Sequence, residues 1–314
     1  MNEMKLVTIL LATFNRSHLI AETLNSIVSQ TYSNWECIII DDNSTDSTEE
    51  IVSEYIKKDN RFSYYKKTKK YKKGLSGTRN YGLDIAISRN AEFIQFFDDD
   101  DLMCPNNIES KILSLAPKSN VNFTISKFEK FDHDDRSNVS RPIFQLSHSH
   151  MGDAILVGDL KVNIQCILWR AIYIKNFRFD EHLLYAEEWE LLTRIGYLNP
   201  SYDVVDEYLF KYRKHKKSLT MGDDLDFSRR KTSAIIRIKI YEYLTVNRLH
   251  TKKSILFLAK TFMIDYYQPH YLKELIKYVT QNEGFSIKLK LYLKSTLYIS
   301  KVSNKIIGKL STWV

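Results

Sequence analysis

The chain has 314 residues, 44% of them hydrophobic and 27% charged, which is the composition of a globular protein with roughly one to three domains. Its three cysteines, Cys37, Cys104 and Cys166, are far apart and lack metal-site spacing. This argues against a disulfide framework and a zinc cluster and fits a reducing compartment. The apolar runs are too short to cross a bilayer, and the first residues lead into a strand-like run without a secretory signal.

The net charge of +8 is unevenly placed. From Leu225 onward there are 17 Lys and Arg against 5 Asp and Glu, a balance of +12, so the first 224 residues carry −4. An acidic front and a basic tail indicate two tasks, with the tail meeting something anionic. Nucleic acid is disfavoured as that partner because the sequence has no aromatic–basic platform or recognised nucleic-acid module.

Strand and helix patterns alternate over the first 115 residues. Short apolar runs predict four strands, over Lys5–Leu11, Trp35–Ile40, Phe62–Lys66 and Ala91–Phe97. Helical patterns follow them, over 17–28, Thr48–Lys57, Thr78–Ser88 and 105–115. The alternation predicts an α/β, Rossmann-like fold, in which helices flank a mostly parallel central sheet and the crossovers are right-handed.

The rest of the chain is less regular. A strand is predicted near Val121–Phe128 and mixed elements follow to Thr220, whereas the pattern from Leu225 onward is mostly helical. Composition places a boundary at residue 222, which gives a domain 1–222 and a helical, basic region 223–314.

Polar clusters follow three of the predicted strands at the point where each strand ends. ATFN follows the first strand, DDNS the second, and DDDD, residues 98–101, the fourth. Ligands of parallel sheets bind beyond the carboxyl ends of the strands. We therefore expect one cleft to collect all three clusters.

The run Asp98–Asp101 is an unfavourable grouping beside an apolar strand. Two bare charges about 4 Å apart repel by roughly 1 kcal/mol in water, and by more near a low-dielectric wall. A solvated acidic loop is the simple explanation. The alternative is a site for Mn²⁺ or Mg²⁺, which prefer carboxylate oxygen and are often completed by substrate phosphates.

Asp42 and Arg79 each have a structural and a functional explanation. Asp42 belongs to a cluster that could cap the next helix, or it could accept a hydrogen bond from a base N–H or a sugar hydroxyl. Arg79 lies in KKGLSGTRNYG, whose glycines could simply form turns. A cation at a predicted helix start is unfavourable for the helix dipole, so we expect Arg79 to serve an anion or a base.

Two later motifs carry the remaining candidates. In LLYAEEWELLTRIGY, the charges of Glu187 and Glu188 could simply interact favourably with the N-terminus of the helix that they begin. Alternatively, burial could raise the pKa of one of these carboxylates toward that of a general base. In YRKHKKSLT, a basic surface strand is the simple explanation. Alternatively, the His215 imidazole and the cations Arg213, Lys216 and Lys217 meet a leaving diphosphate, or His215 ligates the same metal.

The motifs VTILLATFNR, IIIDDNSTD, GTRNYG, IQFFDDDD and AEEWELLTR occur in the order found in family 2 glycosyltransferases of the GT-A fold. The chain resembles that family over roughly residues 4–220. The resemblance implies a nucleotide-diphospho-sugar donor, Mn²⁺ or Mg²⁺ as cofactor, and one displacement that inverts the anomeric centre.

By position, the resemblance assigns the base and ribose to Ala12, Thr13 and Phe14, with Phe14 placed to stack. It assigns the base, expected to be uracil, to Asp42, and the same part of the nucleotide to Arg79.

The same resemblance places Asp98 and Asp99 toward the ribose and makes Asp100 the expected metal ligand. Family members usually have Glu-Asp where this chain has Glu187-Glu188, and the second position is the general base. Glu188 inherits that role with one extra methylene, and Glu187 remains the alternative.

The tail, residues 286–314, has lysines on one helical face and apolar side chains on another. It either packs on the rest of the protein or lies on anionic lipid at the inner face of the cell membrane.

The expected function is a cytoplasmic or membrane-peripheral hexosyl- or N-acetylhexosaminyl-transferase. Its donor would be a UDP-sugar, and its acceptor a glycan or lipid-linked glycan of a surface polysaccharide. The alternatives are a nucleotidyltransferase of related fold and an inactive sugar-nucleotide-binding protein.

Overall fold

The computed structural model describes residues 4–215, 226–265, 268–282, 284–293 and 295. Contacts divide the chain into two compact units, Met1–Leu225 and Asp226–Val314. The boundary predicted at residue 222 lies outside the described residues, as does most of the predicted tail, from residue 296 onward.

The first unit is built on a sheet that has nine strands within the described residues. The strands are β1 Val7–Thr13, β2 Trp35–Asp41, β3 Phe62–Lys66, β4 Phe93–Asp98, β5 Leu102–Met103, β6 Phe123–Asp132, β7 Val139–Ser140, β8 Ile167–Arg170 and β9 Tyr202–Lys214. Their order is β3-β2-β1-β4-β8-β6-β9-β5, and β7 pairs with β6. The long pairings, within β3-β2-β1-β4 and between β6 and β9, are parallel, and the short pairings are antiparallel. The predicted α/β class with a mostly parallel sheet is confirmed.

Helices alternate with these strands. The first unit contains α1 Ile20–Val28, α2 Thr48–Lys58, α3 Leu75–Ser88, α4 Asn107–Leu115, α5 Met151–Val157, α6 Ala171–Ile174, α7 Glu187–Tyr197 and a one-turn 3₁₀ helix at Ile164–Cys166. The described part of the second unit contains α8 Asp226–Val246, α9 Lys252–Lys260, a π-helical turn at Thr261–Asp265, α10 Pro269–Gln281 and a helix over 287–293. The helical character predicted for the C-terminal region is confirmed for these residues.

Strands β1, β2 and β4 form the buried centre of the sheet. All seven residues of β1 are buried, and Phe93, Phe96 and Phe97 of β4 are inaccessible to solvent. Parallel strands that are covered on both faces have nearly continuous apolar sequences. This is why these strands were predictable, whereas the partly exposed β9 was not.

Helix α3 begins at Leu75, three residues before its predicted start at Thr78. Gly74 ends the preceding loop with a φ of 114°, a conformation that glycine adopts without strain. A Cβ on Gly77 would lie 2.2 Å from the carbonyl oxygen of Lys72, so the loop folds tightly back on the helix. Arg79 therefore lies in the second turn of α3 and not at its start.

Candidate active site

The register of the parallel strands brings the predicted polar clusters to one edge of the sheet. Ala12 pairs with Ile40 on one side and with Asp98 on the other, and Thr13 pairs with Asp41. Because parallel strands end at the same edge, the segments that follow them lie side by side, as expected.

Arg79 joins two carboxylates from different parts of the chain. Its Nη2 donates to Asp98 Oδ1 at 2.7 Å, and its Nη1 donates to Glu187 Oε1 at 3.0 Å. Arg79 is only 2% exposed, and its guanidinium lies 5.3 Å from the ring centroid of Phe179. The cation predicted to contact a nucleotide is thus occupied by two carboxylates, and its nucleotide contact stays a prediction.

Asp99 and Asp100 share the guanidinium of Arg16, which the sequence analysis did not single out. Arg16 Nε donates to Asp99 Oδ1 at 3.1 Å, and its Nη2 donates to Asp100 Oδ2 at 3.4 Å. The backbone N–H of Phe14 donates to Asp99 Oδ2 at 3.1 Å. The end of β1 therefore compensates the charge at the end of β4.

Asp101 is held from inside the protein by Arg213. The backbone N–H of Arg213 donates to Asp101 Oδ1 at 2.8 Å, and its Nε donates to the carbonyl oxygen of Asp100 at 2.7 Å. The Arg213 side chain is fully buried and pairs with Glu22 at 3.1 Å. This position does not fit the expected contact with a leaving diphosphate. The lysines at 216 and 217 lie outside the described residues.

The negative charge of the aspartate run concentrates on Asp100. Burial raises the pKa values of Asp98, Asp99 and Asp101. Burial acts in the same sense on Asp100, but the hydrogen bond from His215 and the charge of Arg16 outweigh it and lower the pKa of Asp100. With 19% of its side chain exposed, Asp100 is an anion that a ligand can reach.

The two predicted metal ligands are adjacent. His215 Nε2 lies 3.1 Å from Asp100 Oδ2. In the part of the chain that the structure describes, no three His, Cys, Asp or Glu side chains are grouped as a ready metal site. A cation at this pair would therefore need further ligands from substrate or water.

The three residues predicted to line the nucleotide, Ala12, Thr13 and Phe14, differ in solvent exposure. Ala12 and Thr13 are buried, whereas Phe14 is 37% exposed. The ammonium group of Lys73 lies 5.0 Å from the centroid of the Phe14 ring. Phe14 is thus the member of this group whose side chain offers a surface for stacking.

Asp42 is buried, and its carboxylate fixes the loop before α3. It accepts a hydrogen bond from the backbone N–H of Gly74 at 2.6 Å and forms an ion pair with Lys67. Lys67 Nζ also donates to the carbonyl oxygen of Lys72 at 2.6 Å. The predicted contact of Asp42 with a base is not tested by this geometry and stays a prediction.

Two glutamates begin α7 in different surroundings. Glu187 is 7% exposed and is bound to Arg79, whereas Glu188 is partly exposed. Glu188 Oε2 accepts a hydrogen bond from the backbone N–H of Ile164 at 3.0 Å. Burial, reinforced by the charge of Glu187 and opposed by that of Arg79, raises the pKa of Glu188 to about 7.

Ala186, just before these glutamates, has a left-handed backbone with φ 54° and ψ 28°. This conformation costs a residue with a Cβ about 1–2 kcal/mol. A methyl side chain cannot cap a helix, and the side-chain contacts at the start of α7 come from Glu187, bound to Arg79, and Glu188, bound to the Ile164 N–H.

Gln165 is a site residue that no sequence pattern indicated. Its Nε2 donates to Asp98 Oδ2 at 2.5 Å and to Asp101 Oδ2 at 3.4 Å. It lies in the 3₁₀ helix before β8, within the irregular part of the chain. Arg16, by contrast, could have been found, because it is a cation within the motif that follows the first strand.

Replacing Arg79 with methionine is expected to reduce the free energy of unfolding by about 3–5 kcal/mol, because two buried carboxylates lose their shared cation. Urea unfolding measures this loss. The deficit should grow between pH 5 and pH 8. Without the cation, the folded-state pKa values of Asp98 and Glu187 rise further above those of the unfolded chain, so stability present at low pH is lost as pH rises.

Arg89→Met is the matched control, because Arg89 forms a more exposed ion pair with Glu36 at 3.1 Å. It should cost less than about 1 kcal/mol. Equal losses for the two variants, or a pH-independent loss for Arg79→Met, would contradict the role assigned to Arg79.

Residues 8–170 of this chain match the family model described as "Glycosyl transferase family 2". Among similar curated proteins is the Escherichia coli UDP-Glc:alpha-D-GlcNAc-diphosphoundecaprenol beta-1,3-glucosyltransferase WfgD, 37% identical over 124 residues, which are 40% of this chain and 46% of WfgD. The putative glycosyltransferase EpsH of Bacillus subtilis is 28% identical over 220 residues, 68% of this chain and 62% of EpsH. The chain thus spans less than two thirds of either relative.

Solved structures are similar over most of the chain. Residues 1–349 of TarS from S. aureus superpose with a TM-score of 0.63 at 18% identity, covering 95% of this chain and 89% of that one. The mannosyltransferase PcManGT from Pyrobaculum calidifontis, in complex with GDP-Man and Mn²⁺, gives a TM-score of 0.54 at 15% identity, covering 94% and 80%. At these identities the likeness shows the fold, which is the expected GT-A fold. Since the family model covers just over half of the 314 residues, the chain belongs to glycosyl transferase family 2.

Proposed function

We propose that this protein is an inverting glycosyltransferase that moves a sugar from a UDP-sugar to a hydroxyl group of a glycan or lipid-linked glycan acceptor. Two neighbouring groups carry the proposal. One is Glu188, a partly exposed carboxylate whose pKa is raised to about 7. The other is the aspartate run, which Arg79 joins to Glu187, the residue directly before Glu188. One side of this cleft suits a proton acceptor, and the other suits a charged leaving group.

The relatives support this substrate class. The name of WfgD gives UDP-glucose as its donor and a diphosphoundecaprenol-linked sugar as its acceptor. A Campylobacter jejuni glucosyltransferase, 34% identical to this chain over 117 residues, is also named for an undecaprenol-linked acceptor. TarS has been solved in complex with UDP-GlcNAc and with UDP. These facts favour a uridine nucleotide and a polysaccharide precursor for this chain.

Glu188 is assigned as the general base. The Ile164 N–H fixes Oε2, so Oε1 is the oxygen assigned to take the proton from the acceptor hydroxyl. The hydroxyl oxygen then bonds to the anomeric carbon while the bond from that carbon to the diphosphate oxygen breaks, which inverts the centre. Glu187 is buried and accepts a hydrogen bond from Arg79, which supports a role in orienting Arg79 and not in proton transfer.

The donor set fits a divalent metal. Asp100 offers a charged oxygen and His215 a nitrogen, and His215 weighs toward Mn²⁺ because Mg²⁺ prefers oxygen ligands. A bound ion of this kind would offset charge that develops on the diphosphate. Among the chain's own residues, Arg16 holds Asp100 in place and Phe14 presents its ring to the base.

Product analysis tests the proposed reaction. The protein is incubated with UDP- and GDP-sugars, Mn²⁺ and a lipid carrying diphosphate-linked N-acetylglucosamine. We expect a new glycoside and release of UDP. Release of pyrophosphate would instead identify a nucleotidyltransferase, and binding without turnover an inactive sugar-nucleotide-binding protein.

Glu188→Gln should lower turnover, whereas Asp100→Ala should lower nucleotide affinity. Glu188→Gln should keep UDP-sugar affinity and lose about 10²–10⁴-fold in kcat, because only the proton acceptor is removed. Asp100→Ala should weaken Mn²⁺-dependent UDP binding, as measured by titration calorimetry. In the wild type, kcat should rise with pH through about 7, because the base must be deprotonated.

Glu190→Gln is the control for Glu188→Gln, because Glu190 lies in the same helix but pairs with Arg194 at 2.6 Å. Wild-type turnover in Glu188→Gln would remove Glu188 from the mechanism, and unchanged metal dependence in Asp100→Ala would remove Asp100 from the metal site.

Contact with an anionic membrane through residues 286–314 is part of the proposal. No described helix is long and apolar enough to span a bilayer. Over 287–293, Leu289 and Leu293 are buried, whereas Ile287 and Leu291 are exposed beside Lys288. Such a mixed surface suits a peripheral position at the inner face of the membrane.

Liposome flotation tests this contact. The full chain should float with vesicles that contain anionic lipid and remain at the bottom with neutral vesicles, because lysines supply part of the attraction. A chain that ends at residue 285 should no longer float with the anionic vesicles and should behave alike with both kinds of vesicle. Equal flotation of both chains would end the proposal.

A further inference from the structure

The one-turn helix 164–166, here called the bridging turn, contacts both halves of the candidate site. Its Ile164 N–H donates to Glu188 Oε2 at 3.0 Å. The side chain of the next residue, Gln165, donates to Asp98 Oδ2 at 2.5 Å. Two consecutive residues thus hold the assigned base and the aspartate run.

Gln165 also restrains the buried end of the run. Its Nε2 lies 3.4 Å from Asp101 Oδ2, and the residue is only 2% exposed. An amide nitrogen between two carboxylates offsets part of their repulsion without adding a charge. The position of Gln165 in the turn therefore affects the charge balance of both carboxylates.

A buried lysine anchors the bridging turn. Lys111 of α4 is inaccessible to solvent, and its Nζ donates to the Gln165 carbonyl oxygen at 3.0 Å. Gln95 Nε2 donates to the same oxygen at 3.3 Å. Burial lowers the pKa of Lys111 to about 7.

Packing alone does not explain this lysine. A buried ammonium group carries a desolvation penalty of several kcal/mol, and replacing buried charge with an apolar side chain of similar volume is often neutral or stabilising. Methionine or leucine would fill the same space. What those side chains lack is a donor for the Gln165 carbonyl oxygen.

We propose that Lys111 and Gln165 are positioning residues for the transfer, and that Lys111 clamps the bridging turn so that this turn fixes Glu188 relative to Asp98 and Asp101. The inference rests on the proposed function and extends it to residues that touch no substrate. It predicts that loosening the clamp disturbs the base first, because the backbone of the turn holds Glu188, whereas the Gln165 side chain can still reach Asp98 and Asp101.

Lys111→Met tests the clamp. The variant should unfold at the same or a higher urea concentration, lose about 10-fold in kcat, and keep KM for the UDP-sugar within about 2-fold. The Ile164 hydrogen bond lowers the pKa of Glu188, so weakening it should move the acidic limb of the kcat profile to higher pH. The other groups that act on Glu188, namely Arg79, Glu187 and Asp98, are unchanged in this variant.

Lys118→Met is the matched control, because Lys118 pairs with Asp203 at a half-exposed site. It should leave both kcat and the acidic limb unchanged. A folded Lys111→Met protein with wild-type kcat and an unmoved limb would overturn the inference. Absence of transfer by the unmodified chain would instead count against the proposed function.

Gln165→Leu provides an independent test, including the case in which Lys111→Met does not fold. It removes the donors to Asp98 and Asp101 but keeps the Ile164 N–H. UDP binding, measured by calorimetry with Mn²⁺, should weaken about 10-fold, and the acidic limb should stay in place. Unchanged UDP affinity would contradict the positioning role.

Discussion

The structure of the candidate site depends on the buried Arg79 guanidinium between Asp98 and Glu187. Its two ion pairs, at 2.7 and 3.0 Å, connect β4 with α7, whose residues are nearly 90 positions apart in the chain, about the length of a small domain. A guanidinium suits this task because it stays charged and donates from separate nitrogens in a fixed plane. One side chain thereby ties the aspartate run to the helix that carries the assigned base.

Four adjacent carboxylates need compensation, which from the sequence alone could come from solvent or from a metal ion. The protein supplies much of it from Arg79, Arg16, Gln165 and the backbone of Arg213. The charge that remains is concentrated on Asp100, beside His215. A metal at this site would therefore meet one well-defined anion and not four equivalent ones.

What could be predicted from the sequence were features with a local cause. Continuous apolar runs identified β1, β2 and β4. The polar residues at their ends predicted that those ends lie side by side, as the strand register shows. Contacts between distant residues have no local signature. The partners of Arg79 were missed because neither Asp98 nor Glu187 lies in its helix, and Gln165 was missed because an uncharged residue in an irregular segment resembles any other.

The left-handed backbone of Ala186 affects how precisely the first residues of α7 are positioned. Glycine at this position would adopt the same φ of 54° without steric cost, but it would also open many other conformations to the unfolded chain and to the loop. Alanine narrows those choices and leaves its own conformation to be enforced by the surrounding contacts. The backbone before the assigned base is therefore kept in a costly conformation by the contacts around it, so losing those contacts would let this backbone relax and would move the carboxylate of Glu188.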